Sequence, residues 1–406
     1  MNTDDKPLLI DAIVAEAEGI KALRHRLHAH PELGYEEFHT ADLVAECLQA
    51  WGIPVHRGLG KTGVVGVLRA GQSSRAIGLR ADMDALPIQE QNRFAHASTI
   101  AGKMHACGHD GHVAMLLAAA QYLVTHARFD GSVYLIFQPA EEGGAGADAM
   151  IQEGLFDQFP MQAVFGLHNW PGIPAGQFAI APGPVMAAFR TFRIQVCGRG
   201  GHAALPHRSL DPIPVAAQIV GALQTIVSRN IDPLDAAVVS VTTIHAGQAT
   251  NVIADSCEMT GTVRAFSNEV MALVEARIRE LVQYLCAAHG MEAEFEFYPG
   301  YPPTVNHPQQ AALARGVMVS IVGEDEVLPQ RPTMGAEDFA FMLQHVPGCY
   351  AFIGSGTGVH RSEGHGPGPC ELHNASYDFN DEVLSLGATY WVRLVEACLP
   401  CMAVNP

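Results

Sequence analysis

A thiol, three imidazoles and a carboxylate stand in short motifs along this chain. They are Cys107 and His109 in Met104-His105-Ala106-Cys107-Gly108-His109-Asp110, Glu142 in Gln138-Pro139-Ala140-Glu141-Glu142-Gly143-Gly144, His168 in Gly166-Leu167-His168-Asn169-Trp170, and His373 in Leu372-His373-Asn374. Such ligands suit a first-row divalent metal. A second carboxylate, Glu141, directly precedes Glu142. One carboxylate can bind metal while its neighbour handles a proton, a combination that points to metal-assisted hydrolysis.

These residues need elements that bring them together. Residues 11–29 and 37–51 read as helices, the second ended by Gly52 and Pro54. Residues 64–68, 76–80, 133–137, 164–167 and 350–353 are apolar runs of strand length, and 113–126 is apolar nearly all round, as in a buried helix. This alternation predicts an α/β fold with a mostly parallel sheet and helices on both faces. Sites in such sheets gather at the carboxyl ends of strands. Asp82 and Asp84 follow one predicted strand, Glu141 and Glu142 another, and His168 a third. Cys107 and His109 precede the buried helix, whose dipole favours a thiolate. Asp82 reads as a turn residue after its strand.

Residues 187–298 read differently. A strand, a helix, two strands, a helix and a last strand follow one another, the ferredoxin-like β-α-β-β-α-β order. This segment is taken as a domain inserted into a discontinuous catalytic domain of residues 1–186 and 299–406, because His373 must return to complete the metal site. Pro182-Gly183-Pro184 and Tyr298-Pro299-Gly300-Tyr301-Pro302-Pro303 mark the joints.

At 406 residues, with 48% hydrophobic and 16% charged residues, the chain is globular and long enough for two domains. A net charge of -18 argues against nucleic acid or an anionic membrane as partner. The longest apolar run, around 113–124, is too short to span a bilayer. Met1-Asn2-Thr3-Asp4-Asp5 lacks the basic start of a signal peptide. Nine cysteines without such a signal suggest reduced thiols, and a cytoplasmic location is expected.

Other motifs carry less. Cys398-Leu399-Pro400-Cys401 imitates a redox pair but follows a helical stretch, so an inert chain end is expected. His25, His28 and His30 fall on a polar helical stretch and read as a solvated face. Gly58-Leu59-Gly60-Lys61-Thr62 lacks the earlier glycine of a phosphate-binding loop, since Val55 stands there. Gly198-Arg199-Gly200-Gly201-His202 reads either as a hairpin loop or as a flexible arm presenting His202.

Taken together, the motifs resemble the M20 metallopeptidases, and within them the amidohydrolase branch of hippurate hydrolases, N-acyl-amino-acid deacetylases and auxin-conjugate hydrolases. The resemblance runs from about residue 20 to residue 395. It rests on Leu27-His28-Ala29-His30-Pro31-Glu32-Leu33-Gly34, Leu79-Arg80-Ala81-Asp82-Met83-Asp84-Ala85-Leu86-Pro87 and His105-Ala106-Cys107-Gly108-His109-Asp110-Gly111-His112. Gln138-Pro139-Ala140-Glu141-Glu142, Gly201-His202-Ala203-Ala204-Leu205-Pro206-His207, Gly261-Thr262-Val263-Arg264, Gly335-Ala336-Glu337-Asp338-Phe339 and Leu372-His373-Asn374 extend it.

The resemblance implies two divalent metal ions (Mn, Zn, Co or Ni). Cys107 would bridge them, with His109 and His168 on one side and Glu142 and His373 on the other. It implies hydrolysis of the amide bond of a small N-acyl amino acid, with Glu141 as general base and Asp84 orienting a ligand imidazole. His202 is the expected oxyanion donor, possible across a dimer interface. Arg264, in a strand of apolar and small residues, is expected to grip a substrate carboxylate, with Asn251 serving the same end or only forming a turn. The inserted domain is expected to build a homodimer or homotetramer. A dipeptidase or an N-carbamoyl-amino-acid hydrolase would need the same centre. A metal-dependent binding protein that has lost catalysis would be expected to lack the base or a ligand, yet all of them stand.

Overall fold

Strands form where the apolar runs occur, but they run further than the runs do. In the computed structural model, which describes residues 7–126 and 128–401, β1 is Val55–Leu59, β2 Gly63–Ala70, β3 Ala76–Asp82, β4 Gly131–Gln138 and β5 Ala163–Pro171. The acidic start Met1-Asn2-Thr3-Asp4-Asp5 lies outside the described residues. The eight-stranded sheet has the order β1, β2, β4, β3, β5, Gly348–Gly356, Phe178–Ile180, Val327–Pro329. Its centre is parallel: β3 pairs in parallel with β4 and β5, and β5 with Gly348–Gly356. The β1–β2 and β2–β4 pairs are antiparallel. Every residue of β3 is buried, as a central parallel strand covered on both faces requires.

Alternate residues of each strand serve opposite faces. Ile77, Leu79 and Ala81 share a core with Val133, Leu135, Phe137, Phe165 and Leu167 and with the long helices. Gly78, on the other face, sits against Met161, Ile136 and Val164, and Gly166 against Tyr350 and Phe339. The helices are α1 (Asp11–Ala15), α2 (Ala17–His28), α3 (Phe38–Ala50) and α4 (His109–Thr125), with Pro308–Val322 and Leu384–Cys398 later in the chain. The helix expected over 11–29 is broken at Glu16, where ψ is 7°; nothing in the sequence marks that break. Gly52 with φ 76° follows α3, as expected of a helix-ending glycine. Among the described residues no helix is long and apolar enough to cross a membrane.

Two expectations need correction. The buried helix starts at His109, not near Val113, because Gly108 at φ 97° turns the chain into it four residues earlier. Of the three histidines expected on a solvated face, His30 is exposed, but His25 is only partly so and His28 is not. His28 is fully buried, its ring nitrogens 2.8 Å from Asp110 and 3.3 Å from Glu90. Arg24, one turn earlier and equally buried, pairs with Asp110, Asp378 and Asp381. Polar residues on a helix can face inward when they meet charged partners there, which no one-dimensional pattern reveals.

This first unit comprises the chain up to Gly183, Val305–Arg331 and the chain from Asp338 on. The second comprises Pro184–Thr304 and Pro332–Glu337. The short stretch Pro332–Glu337 joins it because the backbone N–H of Ala187 donates to the carbonyls of Thr333 and Gly335. Its antiparallel sheet has the order Ala237–Ala246, Ser256–Ala265, Ala188–Cys197, Glu292–Tyr298. Burial alternates strictly along Ser256–Ala265, and the helices Pro212–Arg229 and Asn268–Ala288 cover one face. Asp211 and Ser267 cap those helices by accepting the N–H of Ile213 and Val270. The unit has its own core, with Phe192, Ile194, Val263, Ile219 and Ile278 at its centre.

Candidate metal centre

The first unit gathers Cys107, His109, Glu141, Glu142, His168 and His373. β5 extends through Pro171, so His168 is a strand residue near its carboxyl end. Its Nδ1–H donates to the carbonyl of Asn169 at 2.6 Å, which leaves Nε2 as a lone pair 3.4 Å from Cys107 Sγ. Burial and the neighbouring His112 hold the His168 imidazole well below its ordinary pKa, so it is neutral and able to bind metal. His109 opens α4. Its Nδ1 lies 3.2 Å from Asp84 Oδ1, and its buried Nε2 has no hydrogen-bond partner among the described residues.

After β4 the chain turns through Ala140, left-handed at φ 50°. Its N–H donates to buried Glu37 at 2.7 Å. This unusual turn presents Glu141 and Glu142 in different directions. The Glu142 N–H donates to Asp84 Oδ2 at 2.9 Å, so one carboxylate touches both His109 and Glu142. Glu142 Oε1 lies 3.1 Å from His373 Nε2 without forming a hydrogen bond. Glu141, buried, accepts the N–H of Asp338 at 3.4 Å. His373 is itself left-handed, at φ 61°, and its N–H donates to Ala106 at 2.8 Å, which ties its loop to the Cys107 segment.

Two groups of possible ligand atoms, each within 4.8 Å of one another, share Cys107: Cys107 with His109 and His168, and Cys107 with Glu142 and His373. The donor set fits a divalent cation. Burial and the carboxylates of Glu142, Glu141 and Asp82 push the Cys107 thiol well up. Burial disfavours a charge on His109, but Asp82, Asp84 and Glu142 outweigh it and raise the imidazole to about 10. A concentration of buried carboxylates that draws a proton onto a metal-type histidine is satisfied equally by a metal ion.

Several residues escaped the sequence reading. Asp82, read as a turn residue, is the buried last residue of β3, 2.6 Å from Arg80 and 2.6 Å from His112. Arg80 also reaches Asp338 at 3.0 Å. An arginine inside an apolar strand run was the available signal, since a buried guanidinium needs acidic partners. His112 stands three residues after His109 and so on the same helix face, a relation that a helix beginning near Val113 does not contain. The loop 360–370 is tied to residues 91–98: Arg93 N–H donates to Gly364 at 2.6 Å and Gly366 N–H to Asn92 at 2.8 Å. Cys398 ends its helix, and burial pushes its thiol up to about 12.

The remaining candidates lie in the second unit. His202, exposed, pairs with Val252 in a two-stranded ribbon, and its Nδ1 accepts the N–H of Ala204 at 3.1 Å. The carbonyl of Asn251 accepts the N–H of Ala203 at 3.1 Å, so Asn251 sits at the same ribbon. The Arg264 guanidinium lies over the Phe189 ring at 5.1 Å and donates to Thr262 and Val263. Among the described residues no carboxylate pairs with it, and burial lowers its pKa.

A profile of peptidase family M20/M25/M40 matches residues 78–397. The hippurate hydrolase of Campylobacter jejuni is 41% identical over 387 residues, covering 95% of this chain and 98% of that protein. The N-acetyl-L-cysteine deacetylase of Bacillus subtilis is 40% identical over 87% of this chain and 84% of that one. A dinuclear metal-binding M20 peptidase of Bacillus subtilis superposes with a TM-score of 0.81 at 32% identity, over 94% of this chain and 98% of that one. With the motifs, the parallel sheet and the shared thiol in agreement, this chain belongs to peptidase family M20/M25/M40.

Proposed function

We propose that this chain hydrolyses the amide bond of N-acyl amino acids of the hippurate or N-acetyl-amino-acid kind. The observation that carries the reading is one buried thiol shared by two groups of ligand atoms, with Glu141 beside them. Cys107, His109 and His168 would hold one divalent ion, and Cys107, Glu142 and His373 would hold the other. Two divalent ions held there would supply the Lewis-acid chemistry that amide hydrolysis needs. A shared thiolate favours softer ions, among which Mn, Zn, Co and Ni are the candidates. Asp84 orients His109 and steadies the Glu142 backbone. Glu141 takes the proton of the attacking water and returns it to the departing amine; its place among the atoms grouped with His109 and Glu142 supports this role.

Substrate recognition falls to the second unit. Arg264 binds the free carboxylate, a role supported by its half-buried guanidinium, which has no acidic partner among the described residues. His202 donates from Nε2 to the developing oxyanion, its Nδ1 being already engaged by Ala204. Asn251 assists from the same ribbon. The exposed edge strand Ala237–Ala246 supports self-association through this unit, as a homodimer or homotetramer. Nine unpaired cysteines support a reducing, cytoplasmic location.

One assay panel tests the reading. Hippurate, an N-acetyl amino acid, an N-carbamoyl amino acid and a dipeptide are offered to chelated protein, with and without added Mn or Co. N-acyl amino acids should be hydrolysed only with metal. Preferred dipeptide or carbamoyl cleavage would replace the substrate class, and full metal occupancy without hydrolysis on any arm would leave a binding protein.

A further inference from the structure

Beneath the ligand-bearing segments runs a chain of buried polar side chains. His112, in the first turns of α4, donates from Nδ1 to Asp82 at 2.6 Å, and Arg80 holds the other Asp82 oxygen at 2.6 Å. The Nε2 of His112 meets the Asn169 side chain at 2.6 Å, and the Asn169 backbone N–H lies 3.1 Å from the same nitrogen. The Asn169 amide reaches the Tyr377 hydroxyl at 2.5 Å. All five side chains are at least 98% buried. They link β3, α4, β5 and the segment that follows His373.

This chain touches the proposed ligands twice. The Asn169 carbonyl fixes the His168 ring, directing Nε2 at Cys107. Gly108, between Cys107 and His109, lies so close that an added Cβ would stand 2.4 Å from Asn169 Oδ1 and 2.8 Å from the Tyr377 hydroxyl. The turn that carries two ligands therefore rests on Asn169 and Tyr377. Apolar packing would fill the same volume, but hydrogen bonds also set direction, and ligand direction decides metal geometry.

We infer that His112 is a positioning residue of the metal centre, holding His168 and the Cys107-Gly108-His109 turn in register through Asn169 and Tyr377. The inference rests on the proposed metal centre. Its test is His112→Leu in the full-length protein, with metal affinity measured by competition against a chromophoric chelator and the absorption spectrum recorded with Co bound. Affinity should fall by about 10–100-fold, typical for partners that orient metal ligands. The thiolate-to-cobalt band should shift, which a purely structural role would not produce, and kcat should fall more than KM changes. A folded variant with wild-type affinity and spectrum overturns the inference. If His112→Leu does not fold, Tyr377→Phe, which deletes only a hydroxyl, decides: a loss of affinity with the same band shift supports it, and wild-type values overturn it. Wild-type protein that binds no divalent metal would instead sink the proposed centre itself.

Discussion

Glu141 and Glu142 are chemically equal neighbours that the backbone separates. The left-handed Ala140 sends Glu142 toward His373 and Glu141 toward Asp338 N–H. Glu141→Gln should therefore keep bound metal and lose kcat by orders of magnitude, because proton transfer fails while the ligands persist. Glu142→Gln should lose metal. Metal analysis beside steady-state rates checks both, and the opposite pattern reverses the assignment. Cys107→Ser should lower bound metal and abolish turnover, since both ligand groups share that thiol; normal metal content with a normal rate would contradict it. Arg264→Ala should erase most of the preference for a free acid over its methyl ester, by removing a charge-assisted contact of roughly 2–3 kcal/mol. Equal preference in variant and wild type, with folding intact, would leave Arg264 a structural role over Phe189.

At the scale of elements, α2 and α4 are joined by buried charge. Burial opposes ionisation of His28, but Asp110 and Glu90 outweigh it and raise the imidazole to about 9. Burial works against the Asp110 carboxylate as well, and His28 and Arg24 overcome it, holding Asp110 well below the carboxylate range. A histidine whose folded pKa exceeds its unfolded value of 6.5 stabilises fully below about pH 6.5, and that contribution fades as pH rises through about 9. His28→Gln should thus destabilise by an order of 3 kcal/mol near pH 6 and by much less near pH 10. Thermal midpoints of both proteins across that range, under one metal condition, provide the measurement. A pH-independent difference would show that packing, not charge, binds the two helices.

At the scale of the molecule, each unit has its own hydrophobic core, so each can carry a separate task. The second unit ends its sheet on Ala237–Ala246, where Ile244 is 51% exposed. An apolar residue on an open edge invites pairing with another copy. Ile244→Lys should shift sedimentation toward monomer; an unchanged distribution would place any self-association elsewhere.

The central strands and the α/β class were legible in the sequence, because period is a local property, and residue chemistry named the candidate ligands. His168 and His373 were candidates from their motifs, and the fold brings each near Cys107. What stayed hidden was local geometry and long-range pairing. Gly108 moved the start of α4, which concealed the shared face of His109 and His112. Asp82 and His28 looked like turn and surface residues until the fold supplied Arg80, His112, Asp110 and Glu90 as partners. A charge can be buried only where another segment meets it, and which segments meet is decided by tertiary structure alone.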